Sequence, residues 1–244
     1  MKILHSLLNH LIKLVRKFLL KLMLISETNP LANPLFGDTA ILYAFVIRHL
    51  IRLEKGKKVL DVGCCGSPLT TIIKEIGFNV EGIDIRPSPL YYDNIKYRCE
   101  DFLTAKFDNN YDIIVMCYVL EHIGLKGRYG STEVEGGDLL AVRKAKALLK
   151  PNGLLIIGIP YGVEKVIKPL HRVYGKNSAL LKYLYKNFEL IAEEFYKKNE
   201  NNVWIKCDEQ EAAKVNPSED KYALGLFVFK KMENEMRSTK QDIS

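Results

Sequence analysis

The sequence predicts an α/β fold: a doubly wound, mostly parallel sheet with an amphipathic N-terminal helix ahead of it. Three observations predict it. Short runs rich in Val, Ile and Leu alternate with stretches of helical spacing through the middle of the chain. The first such run, residues 59–62, breaks into the small-residue loop Gly63-Cys64-Cys65-Gly66-Ser67 and restarts as a helix. The next two runs lead to acids, Asp84 and Asp101. A strand, a tight loop and a helix together bring backbone amides to a nucleotide-like ligand at the carboxyl edge of a parallel sheet.

Composition bounds this reading. The chain has 244 residues, 48% of them apolar, enough for one α/β domain with appendages and a packed core. Its 36 Lys and Arg against 29 Asp and Glu give a net charge of +7. No basic block is interleaved with aromatics, which argues against nucleic acid and leaves an anionic membrane surface or an acidic substrate as partner. The five cysteines are odd in number and two are adjacent, so no disulfide framework is expected and the compartment reads as cytoplasmic. No Cys or His spacing suits zinc, and no metal is expected.

Taken in order, residues 1–25 place Leu4, Leu7, Leu8, Leu11, Leu14, Val15, Phe18 and Leu22 on one helical face and Lys13, Arg16, Lys17 and Lys21 on the other. Charges interrupt the segment too often for a span, and it lacks the apolar run and cleavage site of a secretory signal. Two roles stay open. The helix either lies in the membrane interface with its lysines towards anionic headgroups, or packs as a cap or in a dimer. Asn29-Pro30 and Asn33-Pro34 mark a linker, so residues 26–56 read as linker and a helix capped by Asp38 that leads into the core.

Residues 57–231 then form the main domain. Strands are expected at 59–62, 79–85, 95–99, 111–117 and 154–159, with two more at 188–196 and 222–230, making seven. Helices are expected at 69–76, ended by Gly77, and at 139–149, followed by the turn Lys150-Pro151-Asn152-Gly153. The 111–117 run is continuously apolar, as a strand covered on both faces should be. Residues 232–244 form a polar tail.

Over residues 57–161 these landmarks together resemble the class I S-adenosylmethionine-dependent methyltransferases. The resemblance implies a seven-stranded Rossmann-like methyltransferase sheet and S-adenosylmethionine as cofactor. It assigns the cofactor cradle to Asp61, Gly63, Cys65, Asp84, Asp101 and Tyr118, with Asp84 on the ribose hydroxyls and Asp101 facing the adenine amino group. Cys65 stands where the family pattern has its second glycine. The physical reasons are independent of the family. An ionised carboxylate can accept from both hydroxyls of a vicinal diol, and glycine lets the backbone approach a ligand. The alternative for Asp84 and Asp101 is a capping or loop-solvating role.

The acceptor side follows the fourth strand. Tyr118-Val119-Leu120-Glu121-His122 leads into a glycine-rich loop holding Arg128 and Tyr129, and a second cluster, His171-Arg172-Val173-Tyr174, follows the fifth strand. A hydroxyl acceptor must lose a proton, and a free imidazole titrates near pH 6.5, so His122 and His171 are the candidate general bases. A structural role for His122 is the alternative. Glu121, Arg128, Tyr129, Arg172 and Tyr174 are the candidate acceptor contacts, the two guanidiniums suited to clamp a carboxylate or phosphate. The loop reads either as a closing substrate loop or as a surface insertion.

The Glu121–Tyr129 and 171–174 segments also resemble a microbial subgroup linked to saccharide pathways. That implies a glycan, a lipid-linked saccharide or another small hydroxylated molecule as acceptor, met peripherally at the inner membrane face. Methylation of nitrogen or carboxylate, or a non-catalytic binding role, is the alternative, and the oligomeric state is left open.

Overall fold

The computed structural model describes residues 33–87, 95–108, 110–127 and 129–232. The expected helix over residues 1–25, Arg128 and most of the expected tail lie outside the described residues. The elements run α1 (Asn33–Leu50), β1 (Lys58–Val62), α2 (Leu69–Glu75), β2 (Asn79–Asp84), β3 (Lys96–Cys99) and β4 (Tyr111–Cys117). Then come α3 (Gly137–Leu148), β5 (Leu149–Tyr161), β6 (Lys165–Ile167), β7 (His171–Val173), α4 (Ala179–Asn187), β8 (Phe188–Lys198), β9 (Trp204–Cys207), α5 (Glu209–Ala213) and β10 (Ala223–Lys231).

The central sheet has the order β3-β2-β1-β4-β5-β10-β8-β9. Strands β3, β2, β1, β4 and β5 are parallel, and β10, β8 and β9 continue antiparallel. The order reverses between β1 and β4, the switch point at which ligands bind in open α/β sheets. One expectation is corrected here. Among the described residues the sheet has eight strands rather than seven, because β9 pairs along β8 from Phe195–Cys207 to Lys198–Trp204. A separate hairpin, β6–β7, carries His171 and Arg172.

Alternation along the buried strands explains the two helical layers. Leu60, Ile114, Met116, Leu155 and Ile157 point to the face covered by α3 (Ala141, Val142, Ala145) and α4 (Leu180, Leu181, Leu184). Val59, Ile113, Val115 and Ile156 point to the opposite face, covered by α1 (Ile41, Leu42, Phe45, Val46) and α2 (Leu69, Ile72, Ile73). α1 is therefore an integral layer of the core rather than a lead-in to it. It is kinked at Gly37 (φ 61, ψ −153), so its regular part starts at Asp38, as expected, but ends at Leu50 instead of near Gly56. The carboxylate of Asp38 accepts from the Tyr222 hydroxyl at 2.9 Å. The expected turn after α3 is a break in the β4–β5 register, with Asn152 at φ 60.

Candidate active site

The loop after β1 is shaped by two left-handed glycines. Gly63 (φ 81) donates its N–H to the Ile83 carbonyl at 2.8 Å, and a Cβ on it would stand 2.6 Å from the Val119 Cβ. Gly66 (φ 77) has open space around it. Cys65, where a second glycine was expected, has no positive φ and needs none. What the loop uses at this position is the backbone: the Cys65 N–H donates to Asp84 Oδ2 at 2.9 Å while Sγ turns to the Pro87 carbonyl.

A cleft whose open space, the solvent at its mouth included, is about 700 Å³ lies beside this loop. Gly63, Asp84 and Asp101 line it, with Ile85, Phe102, Leu103 and Val119 as apolar walls. Tyr118, His122, Tyr129, Ser131 and Thr132 line the side beyond β4. Asp101 sits at the start of a turn whose Leu103 N–H it accepts at 2.8 Å. Tyr118 follows β4 at φ 53, and its hydroxyl is buried beside Asp38 and Tyr222, which with burial pushes the phenol well up.

Asp61 is placed differently. It lies at 3% exposure beneath the loop, outside the cleft lining, and accepts from the Thr70 hydroxyl at 2.6 Å. Burial pushes its carboxyl up from 3.8 to about 6, the Thr70 hydrogen bond opposing and the Asp84 charge adding. Because the folded pKa exceeds the unfolded one, the native state holds the extra proton between about pH 4 and 6. The stabilisation by neutral Asp61 is therefore full below that window and lost above it. Asp61→Asn is expected to match wild type near pH 4 and to exceed it at pH 8 by up to about 3 kcal/mol. Urea unfolding of both proteins at the two pH values checks this, and an Asn variant less stable at pH 8 would contradict it.

The two candidate bases sit edge to face, with ring centroids 6.5 Å apart. His122 lines the cleft, whereas His171 is 4% exposed behind it and packs on Tyr222. Nδ1 of His122 is 2.7 Å from the Leu170 carbonyl. A carbonyl only accepts, so Nδ1 carries a proton, and in the neutral ring Nε2 holds the lone pair. The Glu121 carboxylate, 2% exposed and outside the cleft lining, lies 3.7 Å from Nε2.

Of the expected arginine clamp only Arg172 is among the described residues, and it faces away from the cleft. Arg172 donates to the Ile123 carbonyl at 2.8 Å and lies 3.9 Å from Asp138, and the Tyr174 hydroxyl donates to Asp138 at 3.0 Å. Both serve a buried carboxylate that must be compensated, and neither lines the cleft. Tyr129 does line it, stacked edge-on against His122 at 4.9 Å.

Among the cleft residues that were not anticipated is Arg86. Arg86 donates from Nε to Asp84 Oδ1 at 3.1 Å and from Nη2 to Oδ2 at 3.2 Å, and its guanidinium lies 4.3 Å from the Tyr129 ring centroid. Arg86 lies in the bend after β2, where its N–H also donates to Asp84 Oδ1 at 2.9 Å and the turn folds its side chain back on the carboxylate.

Comparison with known proteins decides the family. A family model described as "Caenorhabditis protein of unknown function, DUF268" matches residues 98–232, and the chain belongs to that family. A ubiquinone biosynthesis O-methyltransferase of Actinobacillus pleuropneumoniae is 31% identical over 189 residues, covering 69% of this chain and 74% of that protein. The chain is a class I S-adenosylmethionine-dependent methyltransferase. A counterpart from Haemophilus ducreyi is 27% identical over 190 residues, covering 69% of this methyltransferase and 73% of its own length. Among solved structures, the N-methyltransferase NodS of Bradyrhizobium japonicum with S-adenosylhomocysteine superposes with a TM-score of 0.55 at 17% identity, over 78% of this chain and 86% of that one. The 1,6-didemethyltoxoflavin N1-methyltransferase of Burkholderia thailandensis gives 0.53 at 15%, over 80% and 76%. Those two likenesses establish the shared fold.

The residues present fit the cofactor of this methyltransferase. The backbone borders the cleft at Gly63, where any side chain would meet Val119, and the carboxylates of Asp84, Glu100 and Asp101 stand along it beside apolar walls. No helix among the described residues is long and apolar enough to cross a membrane.

Proposed function

We propose that this methyltransferase O-methylates a small hydroxylated molecule, with His122 as general base. The observation that carries the proposal is the bond from His122 Nδ1 to the Leu170 carbonyl, which leaves Nε2 as the basic nitrogen on a residue of the cleft wall. When bound, S-adenosylmethionine supplies an electrophilic methyl group on a sulfonium centre. Asp84 would hold the ribose hydroxyls, and Asp101 and its turn would hold the adenine edge. Ile85, Phe102 and Leu103 would shield the base from water. Nε2 would take the proton of the acceptor hydroxyl, whose oxygen bonds to the methyl carbon as the carbon–sulfur bond breaks, and the nearby Glu121 carboxylate would stabilise the imidazolium. Tyr129, packed on His122, orients the acceptor against it.

Oxygen as the acceptor atom is supported by the relatives named as ubiquinone biosynthesis O-methyltransferases. Their name favours a phenolic acceptor, while the resemblance of the Glu121–Tyr129 segment favours a glycan or lipid-linked saccharide. Residues 1–25, with their basic amphipathic pattern, would meet a lipid-linked acceptor at an anionic membrane surface. Incubation with methyl-labelled S-adenosylmethionine and two panels, isoprenylated dihydroxyphenols and oligosaccharides, separates the acceptor classes. Label in neither panel but in amine or carboxylate acceptors would overturn O-methylation. With the acceptor found, His122→Asn is expected to lower kcat by about 10²- to 10⁴-fold with the KM for S-adenosylmethionine little changed. A loss confined to KM would assign His122 to binding instead.

A further inference from the structure

An ionised carboxylate offers about four acceptor positions, and Asp84 has four donors on them. The backbone N–H groups of Cys65 and Arg86 fill one position on each oxygen, both at 2.9 Å. The Arg86 side chain fills the other two, Nε on Oδ1 and Nη2 on Oδ2. A ribose diol would also bring two donors to this carboxylate, and the positions it would use are those the guanidinium holds.

We propose that Arg86 is a cofactor-displaced latch: its guanidinium stands in for the ribose diol on Asp84 and must leave for the nucleoside to bind. This rests on Asp84 as the ribose acid. Two contacts hold the guanidinium in place besides the Asp84 bonds themselves. Nη2 also donates to the Cys65 carbonyl at 3.2 Å, tying the latch to the loop after β1. The guanidinium lies over the Tyr129 ring, tying it to the segment beyond β4. Tyr129 in turn packs on His122, and the Arg86 carbonyl accepts from the Tyr97 hydroxyl, which anchors the backbone while the side chain swings.

Arg86 thereby lowers cofactor affinity by the fraction of molecules that are unlatched, a tax that substitution removes. It also couples the two halves of the site, because releasing Asp84 takes the cation from the Tyr129 face. The Arg86 side chain is 37% exposed, so the competing ion pair is of modest strength and the latch is weak enough for a ligand to open.

The test is calorimetric titration of S-adenosylhomocysteine into the full chain and its Arg86→Ala, Arg86→Lys and Asp84→Asn variants, with thermal unfolding as a folding check. Arg86→Ala keeps the backbone N–H on Asp84 and is expected to bind about 3- to 30-fold tighter than wild type. Arg86→Lys keeps the charge but cannot span both oxygens, so it should bind nearer to the Ala variant than to wild type. Affinity in Arg86→Ala equal to or weaker than wild type would overturn the latch, as would an Arg86→Lys variant indistinguishable from wild type, which would indicate a charge effect. If Arg86→Ala does not fold, the Lys variant alone decides. Wild-type binding unaffected by Asp84→Asn would instead overturn the role of Asp84, leaving the two failures distinct.

Discussion

Replacing Asp84 by Asn is expected to weaken S-adenosylhomocysteine binding by about 10- to 100-fold. The carboxylate lies at the carboxyl end of β2, its side chain 4% exposed, and takes backbone N–H bonds from Cys65 and Arg86 at 2.9 Å. All its partners are donors, as ribose hydroxyls would be. An amide in its place presents one oxygen and one N–H₂, so at least one of those donors meets another donor. Hydrogen bonds to a charged group contribute about 1.5–3 kcal/mol each, and loss of one corresponds to the stated range. The same change frees the Cys65 amide, so the loop after β1 should also loosen. Calorimetry gives the affinity, and amide exchange of residues 64–67 gives the loop. A variant binding within about twofold of wild type would remove Asp84 from the site.

Gly63→Ala is expected to cost about 2–4 kcal/mol of stability and most of the cofactor binding. Two separate costs add. A residue with a Cβ at φ 81 loses about 1–2 kcal/mol. The new methyl would also meet Val119 Cβ and Cγ2 at 2.6 Å, and Val119 belongs to the cleft wall, so relief of the clash deforms the site. Gly66→Ala separates the two effects. Gly66 has a similar φ of 77 but nothing within 4 Å, so only the conformational cost of about 1 kcal/mol applies. Denaturant unfolding of the pair checks the ranking, and equal losses at both positions would show that the approach of Val119 carries no energy.

The fold was legible because its signal is local and repeated. Continuous apolar runs at residues 59–62, 111–117 and 154–159 can satisfy neither water nor a one-sided sheet, and they lie at the centre with helices on both faces. The added edge strand β9 was not legible. Trp204-Ile205-Lys206-Cys207 is short and half polar, and only its pairing with β8 makes it a strand.

At the site, sequence placed Gly63, Asp84, Asp101, Tyr118, His122 and Tyr129 on one cleft, because each follows a strand at the same edge of the sheet. It misjudged Arg172 and Tyr174 because their partner, Asp138, lies more than 30 residues away at the start of α3. Polar residues near an active site look alike in sequence whether they face the ligand or compensate a buried carboxylate. Arg86 escaped for the converse reason: its meaning lies in the number of acceptor positions it fills on Asp84, which only geometry counts. Cys65 needs no glycine's freedom, since the loop's left-handed positions are Gly63 and Gly66; it lies outside the cleft lining and gives its backbone amide to Asp84.

The most direct test of the central claim is a crystal structure of the full chain with S-adenosylhomocysteine. The account predicts the ribose hydroxyls on Asp84, the adenine edge at Asp101 and the Arg86 guanidinium displaced from the carboxylate. A ligand bound away from the cleft between Gly63 and Asp101, or within it but with its ribose away from Asp84, would contradict the account.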